Sequence, residues 1–371
     1  MAVKERKRTG GVTLNVAELR SALQVVGKAV SSRAVKPVLA NVRIGDGRVS
    51  ATDLEVRLDV DIDYHGDAML LPHGRLLAIL NAAGCDEVTF TPKGSTCEVR
   101  CGRGSWTLPT EDAAEFPSWD PEGLTAKTQH PAEQLAHAIR SVLVATDNES
   151  SRYALGAVLI EVEAEGKVSF VATDGRRLHL AAIENSVNLD PSQTLLPARA
   201  AGILYSLASA GGQEKVEIDA SDREVVCTCD GVRLTARLVE GRFPRWRDVL
   251  PKGEQEPTVV LAADLLSATT AAAIVTSEQS KGVRYTFTQE GIHMVARSAE
   301  VGESSVTCEV QDAGHECSVV LDPAFVREWL RCLPSGGDPV VTLTAKDKGS
   351  AVVMRSDDTY TGVIMPLDTE A

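Results

Sequence analysis

Residues 196–204 read Leu-Pro-Ala-Arg-Ala-Ala-Gly-Ile-Leu, and the chain echoes them twice. Leu-Pro-His-Gly-Arg-Leu-Leu-Ala-Ile-Leu starts at Leu71, and Leu-Asp-Pro-Ala-Phe-Val-Arg-Glu-Trp-Leu starts at Leu321. Each sets a proline at the opening of an apolar helix, where its fixed φ and missing N–H do least harm. Pro72, Pro197 and Pro323 lie 125 and 126 residues apart. Ala51-Thr52-Asp53 returns as Ala172-Thr173-Asp174 after 121 residues, and Phe116-Pro117 as Phe243-Pro244 after 127. The interval is a third of the 371-residue chain, so the sequence implies three copies of one unit. It is far longer than a solenoid repeat of roughly 20–50 residues, so each copy is domain-sized.

Each copy repeats the same pattern. After the proline come a short helix and β-branched runs: Glu87–Thr91 and Thr96–Arg100, then Lys215–Asp219 and Glu224–Thr228, then Val340–Thr344 and Ala351–Met354. Period-2 runs broken by Gly, Asp, Ser and Lys predict antiparallel hairpins with one buried face. Ahead of each proline lies another helix. Asn15 with Glu18 reads as a capping box. Val16, Leu19, Leu23, Val26 and Val30 then form one apolar stripe. Leu135, Ile139 and Leu143 do the same in the second copy, and Leu265–Ile274 supplies the third. The prediction is an α+β chain of three similar domains, each with two helices and about eight strands on antiparallel sheets. The expected division is a basic tail at 1–11 without structure, then domains at 12–125, 126–254 and 255–371. Equivalent contacts between such domains close readily into rings, and a head-to-tail dimer gives six domains.

Composition narrows the function. The chain is 43% apolar and carries a net charge of −14, a poor prior for gripping nucleic acid by bulk charge. Fifteen aromatics (four Trp, five Tyr, six Phe) are few for stacking on single-stranded bases. No run approaches the roughly 18 apolar residues of a membrane span, and Met1–Gly10 lacks the apolar core of a secretory signal. That reading places the protein in the cytoplasm with its eight cysteines reduced. No Cys-x-x-Cys pair or His partner at zinc spacing appears, so neither metal nor cofactor is expected. Gly102-x-Gly104 reads as a hairpin turn rather than a phosphate loop. Asp53 and Asp174 read as Asx-turn residues closing strands, not as a catalytic pair, because no partner base accompanies them. The motifs of hydrolases, metalloproteases and nucleotide-binding enzymes are absent from the sequence, and the chain reads as non-enzymatic.

Several motifs then combine. Arg152-Tyr-Ala-Leu155, Val171-Ala-Thr-Asp-Gly-Arg-Arg-Leu178, Leu238-Val-Glu-Gly-Arg-Phe-Pro244 with Val249-Leu-Pro251, and Val363-Ile-Met-Pro-Leu367 occur in this order. Lys36-Pro-Val-Leu-Ala-Asn41 and Lys281-Gly-Val-Arg284 accompany them. Together they resemble the bacterial DNA polymerase III β subunit, the sliding-clamp family, over residues 12–368. The resemblance implies a homodimeric ring of six domains around duplex DNA, with helices lining the hole. It implies partners in the polymerase III α subunit, the clamp loader and repair polymerases, all held through linear peptide motifs. A ring retained by topology needs only weak phosphate contacts, which fits the acidic composition.

Arg33, Arg75, Arg140, Arg199 and Lys281 are the candidates to face DNA, each equally readable as solvated surface charge. The resemblance places Trp106 and Leu108 against Ile274 and Val275 at the dimer contact, although Trp106 in an alternating strand also suits the domain core. Its peptide pocket maps to Leu155, Thr173, Gly175, Arg177, Leu178, Pro244, Val249, Val363, Met365, Pro366 and Leu367, of which Leu178 and Val363 also read as core. Departures from the family pattern are Asp147, Glu149, Asp248 and Asp368. They keep open a specialised second-copy clamp with an altered pocket, for example one resisting a clamp-binding inhibitor. A three-domain ligand-binding protein or enzyme on the same scaffold is the alternative of a different class.

Overall fold

A computed structural model describes residues 11–31, 36–147, 153–163, 166–184, 192–212, 214–250, 255–278, 280–334, 336–337, 339–357 and 359–367. Residues 1–10 of the expected basic tail lie outside them. Among the described residues each repeat holds two α-helices and eight strands. The helices are α1 (Val16–Val26), α2 (His73–Ala82), α3 (Ala132–Leu143), α4 (Ala198–Ala208), α5 (Ala262–Ala272) and α6 (Pro323–Arg331). Asn15 caps α1, its side-chain oxygen accepting the Glu18 N–H at 3.1 Å. Asp322 caps α6 through the Ala324 N–H at 2.9 Å, with Pro323 in the first helical position. Pro72 and Pro197 sit one step earlier than the sequence suggests. They end the strands Met69–Pro72 and Ser192–Pro197, and their extended ψ turns the chain into α2 and α4.

The helices pair within each repeat, α1 with α2, α3 with α4 and α5 with α6. Each pair buries its apolar stripe: Leu19, Leu23 and Leu76 in the first, Leu135, Ile139 and Leu204 in the second, Leu265 and Val326 in the third.

The chain divides into two compact units. The first comprises Met1–Lys127 with Val216–Arg237. Its four-stranded sheet runs Val12–Asn15, Glu87–Lys93, Thr96–Cys101, Gly104–Pro109. The larger sheet, most of whose strands it holds, runs Met69–Pro72, Asn41–Gly45, Arg48–Thr52, Val56–Asp61, Val232–Arg237, Glu224–Cys229, Lys215–Ala220, Ala126–Pro131. The joint in that sheet pairs Leu58 with Leu234.

The second unit comprises Thr128–Lys215 with Leu238–Ala371. Its eight-stranded sheet runs Ser192–Pro197, Ala157–Val162, Lys167–Thr173, Arg177–Glu184, Tyr360–Ile364, Val352–Arg355, Val340–Thr344, Thr258–Leu261. Its four-stranded sheet runs Gly302–Cys308, Gly291–Ser298, Val283–Thr288, Cys317–Leu321. Repeats and units differ because each eight-stranded sheet takes four strands from each of two successive repeats. Backbone hydrogen bonding thus crosses from one repeat to the next.

The cysteine reading needs one correction. Cys85 and Cys101 form a disulfide, with Cα atoms 6.2 Å apart, although all eight cysteines were expected reduced. Cys85 follows α2 and Cys101 ends a strand. The fold folds the helix exit over the hairpin, an approach that spacing along the chain does not display. Cys227 and Cys229 form no disulfide and are buried, two apart on one strand face.

Candidate functional site

Most of the candidate pocket residues belong to the second unit's eight-stranded sheet and the loop that follows Arg237. The strand Lys167–Thr173 ends in a tight turn. The Thr173 hydroxyl donates to the Arg177 carbonyl at 2.6 Å and accepts the Gly175 N–H at 3.1 Å. Asp174 Oδ1 accepts the N–H groups of Arg176 and Arg177, each at 2.9 Å. Gly175 takes φ +85°, where a side chain would be strained. Asp174 is therefore an Asx-turn residue, as expected, and so is Asp53 in the first repeat.

The turn aims Arg177 inward. Its Nε donates to Asp174 at 3.1 Å, its Nη2 to the Val144 carbonyl at 2.5 Å, and its Nη1 to Glu328. The guanidinium lies 4.3 Å above the Phe325 ring. Its side chain is only 8% exposed, so this is a positioning element rather than a free cation.

The strand that begins at Arg177 pairs with Tyr360–Ile364, placing Leu178 opposite Val363. The Met365 N–H donates to the Arg176 carbonyl at 2.8 Å, which holds the residues after the last strand beside the turn. Leu178 and Val363 are buried in one cluster with Leu159, Val171, Leu195, Phe243, Trp246 and Val353. They form the floor of the candidate site, and only what stands above them is accessible. Val249 and Met365 are each 41% exposed, Pro244 is exposed, and Leu155, Pro366 and Leu367 are half-buried. Thr173 is buried with its hydroxyl committed. Leu155, Pro244, Val249, Met365, Pro366 and Leu367 thus keep apolar surface accessible in the unit that holds this buried cluster. Asp368 lies outside the described residues.

Below this floor is a buried polar cluster. His179 Nδ1 lies 2.8 Å from the Ser141 carbonyl and 3.2 Å from the Tyr360 hydroxyl. Burial pushes the His179 pKa down to about 4, so its ring is neutral at pH 7. Tyr360 stacks on Trp329 at 4.9 Å, and Gly362 allows this, because a Cβ there would lie 2.4 Å from the indole. Among the described residues no His, Cys, Asp and Glu group together as metal ligands would.

Comparison with known proteins gives the context for this arrangement. The N-terminal, central and C-terminal domains of the DNA polymerase III beta subunit match residues 11–120, 129–245 and 247–368. The chain belongs to the DNA polymerase III β subunit family. The beta sliding clamp of Vibrio cholerae is 26% identical over 369 residues, covering 96% of this chain and 99% of that protein. The beta sliding clamp of Escherichia coli K12 is 26% identical over 331 residues, 86% of this chain and 90% of that one. The Pseudomonas aeruginosa sliding clamp bound to griselimycin superposes with a TM-score of 0.90 at 24% identity, over 97% of this chain and all of that one. The Bacillus subtilis clamp gives 0.89 at 22% identity, over 96% and 98%. The fold is the α+β clamp fold of three similar domains.

The other clamp-family positions are spread over both units. Arg75 and Arg199 are exposed in the first turns of α2 and α4. Arg140 is exposed in the last turn of α3 and donates to the Arg331 carbonyl at 2.9 Å. Lys281 pairs with Glu278 at 3.1 Å. Arg33 and Glu149 lie outside the described residues, while the Asp147 N–H donates to the Leu155 carbonyl at 2.9 Å. Trp106 and Leu108 lie on the edge strand Gly104–Pro109. Leu108 is buried within the protomer, and Trp106 lies folded over Gly104, half-exposed. Ile274, in the 3₁₀ turn Ala273–Val275 after α5, is 75% exposed, and Val275 is half-buried.

Sequence reasoning missed Phe325 and Glu328, which hold Arg177 from α6. No local signal marks them, since their role depends on packing across 148 and 151 positions. It also passed over Arg242 and Arg245. Their alternation with the buried Phe243 and Trp246 is the signal that could have found them.

Proposed function

We propose that this chain is a DNA sliding clamp, a non-catalytic processivity factor that acts in the cytoplasm without a cofactor. Two copies close head to tail into a ring around duplex DNA and tether the polymerase III α subunit, the clamp loader and repair polymerases. The observation that carries this reading is the ordered match of all three family domains across residues 11–368 on a clamp fold. A closed ring is retained by topology, which reconciles a net charge of −14 with a DNA-bound protein. Within this reading the domains are 12–125, 126–254 and 255–371. Arg33, Arg75, Arg140, Arg199 and Lys281 face the duplex. Trp106 and Leu108 meet Ile274 and Val275 of the second copy, with Ile274 the main anchor because it is the most exposed of the four.

The apolar surface from Leu155 to Leu367 receives an extended motif bearing Leu and Phe. Met365 supplies adaptable packing, and the buried floor fixes the groove. The decisive experiment is retention on nicked circular DNA with release after linearisation. A chain that leaves intact circles as fast as linear DNA is not a closed clamp. Met365→Glu should abolish calorimetric binding of a Gln-Leu-x-Leu-Phe peptide while sedimentation still reports a dimer. Ile274→Ala with Val275→Ala should instead raise the monomer fraction.

A further inference from the structure

The segment Gly241-Arg-Phe-Pro-Arg-Trp-Arg-Asp248 carries three arginines, and the structure treats them differently. With Leu159 and Gln193 it lines a cleft of about 400 Å³ that shares Pro244 with the docking surface. Phe243 and Trp246, three residues apart, are buried and anchor the segment in the core below. Backbone bonds fix its course: Val239 N–H to Leu195 carbonyl at 3.0 Å, Asp248 N–H to Arg245 carbonyl at 3.0 Å, and Val249 N–H to Trp246 carbonyl at 3.2 Å.

Arg247 is already neutralised. It donates to Glu161 at 2.7 Å and Glu163 at 3.0 Å, and its guanidinium covers the Trp246 ring at 4.1 Å. The Trp246 indole N–H is likewise committed to Glu161, at 3.2 Å. Arg242 and Arg245, again three apart, are exposed, and neither side chain has a hydrogen bond or ion pair among the described residues. Two unpaired guanidinium groups thus stand on a fixed backbone, opposed only by Asp248 among the cleft's lining residues. On a chain of net charge −14 they form a local field of the opposite sign.

We propose that Arg242 and Arg245 form an electrostatic subsite that takes the carboxylates of an acidic stretch flanking the hydrophobic docking motif. This rests on the reading of the adjacent surface as a peptide pocket, with which the cleft is continuous through Pro244. Arginine suits a carboxylate because its planar fork pairs with two oxygens at once. Single-stranded nucleic acid fits less well. Of the two aromatic residues lining the cleft, Trp246 is covered by Arg247 and Phe243 is buried, so neither offers an open face for a base to stack on.

The test uses the full chain and labelled peptides containing Gln-Leu-x-Leu-Phe, with three aspartates before the motif, after it, or absent. At low salt the acidic flank on one side should tighten binding about three- to tenfold, an effect that added salt removes. The double variant Arg242→Gln/Arg245→Gln should lose that gain and still bind the acid-free peptide as the wild type does. Asp248→Asn should enlarge the gain. No gain from either flank, or a gain that survives in the double variant, overturns the subsite while leaving the docking pocket standing. Failure of the acid-free peptide to bind overturns the pocket reading, and the subsite survives only if acidic peptides still bind through Arg242 and Arg245. Displacement of the acidic peptide by a thymidine oligonucleotide that itself needs both arginines would reassign the cleft to nucleic acid.

Discussion

The chain builds the same turn twice, at Thr52–Val56 and at Thr173–Arg177. In both, the threonine hydroxyl spans the turn: Thr52 donates to the Val56 carbonyl at 2.8 Å and accepts the Leu54 N–H at 3.0 Å, matching Thr173. In both, the aspartate accepts two successive N–H groups, Asp53 those of Glu55 and Val56 at 3.1 and 2.9 Å. The third residue is left-handed in each, Leu54 at φ +80° and Gly175 at φ +85°. What differs is the cargo. Where the first copy has Val56, the second has Arg177 with its ligands from α3 and α6. Where the first has the fully buried Leu58, the second has the fully buried His179. Duplication kept the backbone chemistry, and the side chains set on it made one copy a plain sheet corner and the other the anchor of a buried arginine network.

The largest expected effect breaks the comparison at Arg177. Arg177→Ala strands Asp174 and removes the bond to the Val144 carbonyl. Loss of one partner from a buried pair destabilises by roughly 3–5 kcal/mol, discounted here to about 3 kcal/mol because Glu328 is 40% exposed. Val56→Ala in the first copy removes two buried carbons and leaves a small cavity, and should cost about 2 kcal/mol. Equal shifts in a denaturation midpoint for the two variants would show that the arginine network adds nothing.

The next contrast is between Leu58 and His179. The His179 pKa is depressed from its ordinary 6.5 to about 4 by burial. The unfolded chain therefore binds its proton first, and the stability held at neutral pH is lost as pH falls from 6.5 towards 4. At pH 5 the loss is about 2 kcal/mol. His179→Leu, which copies the first repeat, should flatten the fall between pH 7 and pH 5. The slope left over belongs in part to His130, also pushed down to about 4 by burial. A slope unchanged by the substitution would mean that His179 is solvated in the folded state.

These contrasts also mark how far the sequence could be read. The triplication, the Asn15 cap and the hairpins are periodic or local, and they are legible in the sequence. Thr173 and Asp174 were legible as a turn because their partners lie within four residues. The burial of Leu178 and Val363 is not legible there, because alternation in a strand marks two faces without saying which one a neighbouring element covers. The grip of Phe325 and Glu328 on Arg177, and the approach of Cys85 to Cys101, arise only when distant segments meet.

A smaller effect should be shared by both copies. Thr52→Val and Thr173→Val keep the shape and remove the hydroxyl, leaving the Leu54 N–H without its partner in the first copy, where the Val56 carbonyl still accepts the Asp53 N–H at 3.2 Å, and the Gly175 N–H and Arg177 carbonyl without theirs in the second. Each should cost about 1.5 kcal/mol, because both threonines are buried. A cost confined to Thr173 would mean that the turn matters only where it carries Arg177.

The smallest effects concern the left-handed residue and should have opposite signs in the two copies. An L side chain at positive φ is disfavoured by roughly 1–2 kcal/mol, and Leu54 bears that strain with its side chain 40% exposed. Leu54→Gly relieves it. The glycine also gives the unfolded chain more freedom, which takes back about 0.5–1 kcal/mol. The net should be a gain of about 0.5 kcal/mol, since little apolar burial is lost at so exposed a position. At Gly175 the conformation already suits its residue, and a Cβ there would meet no atom within 4 Å, so only the backbone term acts. Gly175→Ala should therefore cost about 1 kcal/mol. Urea denaturation of the two variants measures both. A destabilised Leu54→Gly would mean that the leucine side chain contributes packing in the folded state that outweighs its backbone strain, and that the first corner is more than a bare copy of the second.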